Sequence, residues 1–157
     1  MTILSTEIEI RAPAEQVWAV LRDLGNYPEW NPFIRSIRGR LEVGTRLDAE
    51  LYLPGSRGLH IRPTVQTVEP NRELSWLGRT FGLAHLFDGR HSFIIEPQGA
   101  DRVRFVQKEE FTGMLVPLAR GLLSDTERGF EAMNRALKER VEGLGDPGRL
   151  GKAGIGE

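Results

Sequence analysis

The feature that most restricts the fold is a change of period at Gly113. Upstream of it, apolar and polar residues alternate in short runs separated by turn residues, the pattern of half-buried strands. Downstream, Leu118, Leu122, Phe130, Met133, Leu137 and Val141 recur at helical spacing, with Arg120, Glu127, Arg128, Glu131 and Arg135 on the opposite side. The spacing predicts one helix from Leu115 to Glu142, about 40 Å long at 1.5 Å per residue. An apolar stripe of that length needs a surface to receive it, and the preceding strands supply one. The chain therefore reads as α+β, an antiparallel sheet with a long C-terminal helix across one face.

The strands follow from the same reasoning. From Thr2 to Arg11, Leu4, Thr6, Ile8 and Ile10 share one face, with Glu7, Glu9 and Arg11 on the other. A short helix then starts at Pro13, whose missing N–H costs nothing in a first turn, and Glu15 suits the positive helix end. Val17, Val20, Leu21 and Leu24 form its apolar stripe, and Gly25-Asn26 ends it. An aromatic elbow, Tyr27-Pro28-Glu29-Trp30-Asn31-Pro32-Phe33, reads as a second helical piece. Further strands are expected at Ile34–Arg38, Thr45–Leu53, Leu59–Val68 and Leu74–Gly78, with Pro63 marking an edge or bulge. Two long strands, about Ala84–Glu96 and Arg102–Thr112, are joined by the loop Pro97-Gln98-Gly99-Ala100-Asp101. The expectation is about seven antiparallel strands, two short N-terminal helices and the long helix, in a single domain over residues 1–143. Residues 144–157 are Gly-rich and aperiodic, hence an expected disordered tail.

Composition removes several function classes. A chain of 157 residues buries roughly two-thirds of its unfolded surface without covalent staples. Cysteine is absent, so disulfides and thiolate metal sites are excluded. A net charge of -1 argues against a nucleic-acid partner. No apolar run reaches the roughly 18 residues of a transmembrane segment, and no basic flank precedes an apolar stretch at the N-terminus. The expected location is cytoplasmic; the pattern leaves the oligomeric state open.

Several short motifs follow one another along the chain. They are Ala12-Pro13 with Val17-Trp18, Trp30-Asn31-Pro32-Phe33, and Glu69-Pro70 followed by Leu74-Ser75-Trp76-Leu77-Gly78. Gly89-Arg90-His91-Ser92-Phe93, Glu109-Glu110-Phe111-Thr112-Gly113 and Phe130-Glu131-Ala132-Met133-Asn134 continue the series. In this order the chain resembles the START-like proteins of the SRPBCC superfamily, including its polyketide cyclase/dehydrase-like members, from about Ile3 to Glu142. The resemblance implies a helix-grip fold, with the sheet wrapped around the long helix and an apolar cavity between them. It implies a hydrophobic small molecule as partner, and no single activity, because the superfamily holds carriers, receptors, oxygenase subunits and cyclases. The oxygenase members bind iron through two His and a carboxylate. His60, His85 and His91 fall on different predicted strands without that spacing, so neither metal nor cofactor is expected.

The long hairpin points to candidate site residues. With Glu96 facing Arg102, Phe93 faces Phe105, His91 faces Gln107, Gly89 faces Glu109 and Phe87 faces Phe111. All lie on one face, because side chains alternate along a strand. The other face carries Arg90, Ser92, Arg104, Lys108 and Glu110, so the first set is the buried one. His91, Gln107 and Glu109 are polar groups in an aromatic surface. They serve as structural partners of one another, as hydrogen-bonding groups for a ligand's polar head, or as a general acid and base. Trp18 and Phe130 read as core. Trp30, Phe33, Trp76 and Phe81 read as pocket rim, and Leu118 and Leu122 as the helix's share of the lining, with Pro54–Gly58 and Arg79–Leu83 as gates. The expected function is binding or carriage of a lipid, polyketide or aromatic metabolite. One alternative is a cyclase/dehydratase-like enzyme using His91 and Glu109 as acid and base; another is an adaptor for a protein or membrane partner.

Overall fold

A computed structural model describes residues 1–54, 58–79 and 85–145. The chain runs β1 (Thr2–Ile10), α1 (Ala14–Arg22), a 3-10 turn (Leu24–Asn26), α2 (Tyr27–Trp30), β2 (Ile34–Arg38), β3 (Asp48–Leu51) and β4 (Leu59–Ile61). It continues through β5 (Thr64–Glu69), β6 (Glu73–Arg79), β7 (Asp88–Pro97), β8 (Val103–Thr112), a 3-10 turn (Val116–Leu118) and α3 (Arg120–Leu144). All strand pairs are antiparallel. A five-stranded sheet has the order β1-β8-β7-β6-β5, and a three-stranded sheet the order β2-β3-β4.

The expected seven strands become eight because Pro63 divides Leu59–Val68 into β4 and β5. Proline has no N–H to give a ladder, but its carbonyl still accepts from Leu47 N at 2.8 Å, and Val65 N donates to Thr45 O at 2.9 Å. The segment leading into β3 therefore runs beside β5, and β3 itself beside β4. That crossing stitches the two sheets into one curved wall.

Two helices close the wall. α1 buries Val17, Trp18, Val20 and Leu21, and the Tyr27 hydroxyl donates to Leu21 O at 2.6 Å to hold α2 against its end. α3 lies across the concave face of the five-stranded sheet, as the change of period requires. Phe130, Met133, Leu137 and Val141 join one apolar cluster with Ile10, Phe93, Ile95, Val103, Phe105 and the α1 stripe. The helix starts later than the spacing predicts. Pro117 lacks an N–H and disfavours helical geometry at the residue before it, so residues 116–118 form a 3-10 turn and α3 begins at Arg120. At its other end α3 continues to Leu144, one residue into the expected tail. The tail beyond Gly145 lies outside the described residues. No helix among those described is long and apolar enough to cross a membrane.

The long hairpin keeps the expected faces and changes its register. Pro97 stays in the strand opposite Val103, and Gly99 takes the turn at φ +134°. The five-residue loop is thus displaced by one residue along each strand, and every pair shifts by two. His91 faces Glu109, Phe93 faces Gln107, Ile95 faces Phe105 and Gly89 faces Phe111. Because the shift is even, the same side chains point inward. The outer face carries ion pairs between Arg104 and Glu96 (2.7 Å) and between Lys108 and Glu110 (2.9 Å).

Candidate functional site

A cavity of about 340 Å³ lies between the two sheets and the N-terminal part of α3. Its floor is the inner face of the five-stranded sheet at Gly78, Gly89, His91, Glu109 and Phe111. Leu51, Leu53, Leu59 and Ile61 of the three-stranded sheet form one wall, and Leu122 and Thr126 of α3 another, with Phe33 and Phe87 completing it. The space follows from residue size. Gly78 and Gly89 are cross-strand partners, so two adjacent inward positions carry no side chain.

Local chemistry sets each wall. Asn31 accepts from Phe33 N (2.9 Å) and Ile34 N (2.8 Å), a turn that fixes Phe33 after α2. The Phe33 ring then lies against Gly129, where an added Cβ would meet its Cε2 at 2.8 Å. It also packs edge-on to Phe130 at 5.5 Å. On the floor, a Cβ at Gly89 would collide with Glu109 Oε1. The missing side chain is the niche in which the carboxyl sits.

His91 and Glu109 are the two titratable groups among the described lining residues. His91 is 4% exposed; its ring stacks on Phe93 at 4.3 Å and lies 4.6 Å from Phe130. A buried chain of amides fixes its tautomer. Gln107 Nε2 donates to Phe130 O (3.1 Å) and Asn134 Oδ1 (2.7 Å), and Asn134 Nδ2 donates to Thr6 Oγ1 (3.0 Å). Gln107 Oε1 is therefore the acceptor facing His91 Nε2 at 3.0 Å, so Nε2 carries the proton and Nδ1 keeps a free lone pair. Nδ1 lies 3.7 Å from Glu109 Oε2, beyond hydrogen-bonding distance. Burial pushes the Glu109 carboxyl up to about 8. Burial also drives the His91 imidazole down to about 3, against a smaller upward pull from the Gln107 bond. Near pH 7 the site thus presents a protonated carboxyl and a neutral imidazole, because low dielectric penalises either charge.

The structure separates the residues singled out in the sequence. Phe33, Phe87, His91, Glu109, Phe111 and Leu122 line the cavity. Trp76, Phe93 and Phe105 are buried in the apolar cluster, and Gln107 stands behind His91 as its positioning partner. Trp30 packs edge-on to Tyr27 at 5.1 Å, away from the lining. Leu118 is 83% exposed on the 3-10 turn, because the helix expected to aim it inward begins two residues later. Phe81 and most of the two gate segments lie outside the described residues. Trp18 and Phe130 are core, as read. Among residues not singled out, Leu51, Leu53, Leu59, Ile61, Gly78 and Thr126 line the cavity. Leu51 and Leu53 alternate with Glu50 and Tyr52, which puts them on one strand face but does not say which space that face meets. Glycine inside a strand was the available signal for Gly78. No group of three or more His, Asp or Glu among the described residues is placed to hold a metal ion.

The architecture recurs in solved structures. A norcoclaurine synthase from Thalictrum flavum superposes with a TM-score of 0.73 at 20% identity, over 92% of this chain and 96% of that one. A Streptomyces aromatase/cyclase gives 0.74 at 17%, over 94% and 97%. A START superfamily protein from Mycobacterium smegmatis gives 0.68 at 22%, over 90% and 98%. At such identities the likeness is one of fold. No curated protein matches the sequence. Residues 1–142 match the family described as polyketide cyclase / dehydrase and lipid transport, and with nearly the whole folded chain inside that match, the protein belongs to this family.

Proposed function

We propose that this chain binds or carries a hydrophobic small molecule (a lipid, polyketide or aromatic metabolite) in the cavity between the sheets and α3, without altering it chemically. Residues 1–143 act as one ligand-binding domain, and the cytoplasm is its place of work. The observation that carries the reading is the make-up of the cavity: among the described residues the lining is mainly aliphatic and aromatic, interrupted by His91, Glu109 and the hydroxyl of Thr126. Pockets for small molecules combine such a lining with a few placed polar groups. At about 340 Å³ the space is roughly twice a cavity that takes benzene. Burying about 300 Å² of apolar ligand surface at about 25 cal/mol/Å² yields roughly 7 kcal/mol gross. Association costs reduce this to micromolar affinity or weaker. Native mass spectrometry of freshly purified protein is the test. An adduct of a small apolar molecule supports the reading; ligand-free protein that also takes up no apolar probe refutes it.

A second reading, a cyclase/dehydratase-like enzyme, rests on one specific observation. His91 Nδ1 and the Glu109 carboxyl face each other across 3.7 Å, and neither makes a hydrogen bond to a described residue. An acid and a base so placed are equipped for proton transfer. Under this reading Glu109→Gln abolishes turnover with binding nearly intact, whereas a carrier has no turnover to lose.

A further inference from the structure

The polar pair constrains the ligand's head group more closely than the cavity's apolar lining does. His91 Nδ1 is an acceptor and nothing else, since Gln107 Oε1 takes the ring's one proton at Nε2. The Glu109 carboxyl sits in the Gly89 niche with no cationic side chain among the described lining residues. Nδ1 and Oε2 are 3.7 Å apart, too far to bond each other, and both open onto the same end of the cavity. Thr126 adds no free donor, because its hydroxyl donates to Leu122 O at 2.7 Å.

We infer that this end of the cavity is a clamp for an uncharged hydroxyl (a phenol, enol or alcohol), whose O–H donates to His91 Nδ1 while its oxygen accepts from the Glu109 carboxyl. The inference rests on the proposed binding of a hydrophobic small molecule and names its polar group. Competing head groups fit less well. An ether or ketone accepts from Glu109 but leaves Nδ1 without a donor. A carboxylate sets its charge against the Nδ1 lone pair, with no cation in the described lining to offset it. An ammonium satisfies Nδ1 but requires Glu109 to ionise in an apolar site. A neutral hydroxyl meets both groups as they stand.

The test is calorimetric titration at pH 6 with four probes sharing one ring system: 2-naphthol, 2-methoxynaphthalene, 2-naphthoate and 2-naphthylmethylammonium. The expected result is 2-naphthol bound about 10-fold or more tightly than the other three, the scale of one buried group left unsatisfied. His91→Phe, which removes the Nδ1 acceptor, should erase the preference over 2-methoxynaphthalene, and Glu109→Gln, whose amide still donates, should keep most of it. Equal binding of naphthol and its methyl ether overturns the clamp while leaving the ligand-binding reading intact. So does tightest binding by the ammonium, together with its loss in Glu109→Gln. If none of the four binds, the ligand-binding reading falls and takes the clamp with it.

Discussion

The C-terminal and N-terminal halves of α3 meet the same wall of strands in opposite ways. Toward the C-terminus, Phe130, Met133, Leu137 and Val141 are all fully buried against Phe93, Phe105, Val103 and Ile10. Toward the N-terminus, Leu122 and Thr126 look across open space at Gly78 and Gly89. The helix keeps its course through both halves; what changes is the volume the sheet offers it. Solid and hollow regions thus differ by side-chain size on a common backbone, and the polar pair marks the seam. His91 stacks on the packed side through Phe93 and presents Nδ1 to the hollow side beside Glu109.

The two ends should therefore respond differently to substitution. Phe105→Ala removes a fully buried ring at the solid end, and large-to-small changes of this kind cost about 3–5 kcal/mol. Denaturant unfolding should show that loss. A value below about 1 kcal/mol would mean that the packed end is not packed.

The seam should be visible in the pH dependence of stability. Burial raises Glu109 from 4.5 to about 8, so between those values the folded state holds a proton that the unfolded chain has lost. Stability then falls as pH rises. His91 is lowered from 6.5 to about 3, so across that range the unfolded chain binds the extra proton and stability rises with pH. The two slopes cancel between pH 4.5 and 6.5. Below that window the His91 contribution is lost on acidification. Above it the Glu109 cost grows by about 2 kcal/mol up to pH 8. Glu109→Gln should abolish the alkaline decline and leave the acid limb, as read from melting temperature across pH. An unchanged alkaline limb would place the carboxyl in a better solvated setting.

Gly78 sharpens the hollow side. Among the described residues a Cβ there meets only Gly89 O, at 3.9 Å, so Gly78→Leu should fill the cavity without displacing its walls. Binding of a neutral apolar fluorophore should weaken at least about 10-fold, equivalent to about 1.4 kcal/mol, with stability held or improved. Retained affinity would locate the binding elsewhere. The smallest expected effect is that of Gly89→Ala, which must move the Glu109 carboxyl out of its niche. The flexible end of that side chain gives way, so stability should change by less than about 1 kcal/mol, while the alkaline decline shrinks as the carboxyl gains water.

Much of the fold was legible because it rests on period. The alternation in β1 and the helical stripe after Gly113 each fix which side chains turn inward, and the structure keeps both. Parity in the hairpin was legible for the same reason: a one-residue slip would have buried Arg90 and Arg104. The register was not, because a shift by two leaves the burial pattern nearly unchanged, and the turn geometry of Pro97 and Gly99 decides between the alternatives. The division between core and cavity was also out of reach. Phe93 and Phe111 are both inward aromatics on long strands; only the third dimension puts one in the packed cluster and the other on the cavity wall. Leu118 was misplaced through a local signal that was present, since Pro117 already argued against a helix running through it.

The central claim is that one end of the helix–sheet interface is an apolar space and the other is not. Diffraction from crystals held under xenon tests it most directly, because xenon occupies apolar cavities large enough to hold it. Xenon should bind between Phe111, Leu122 and the Gly78–Gly89 pair, with none near Phe93, Phe105 and Phe130. Xenon at the packed end, or a hollow end holding only a hydrogen-bonded water network, would contradict the account.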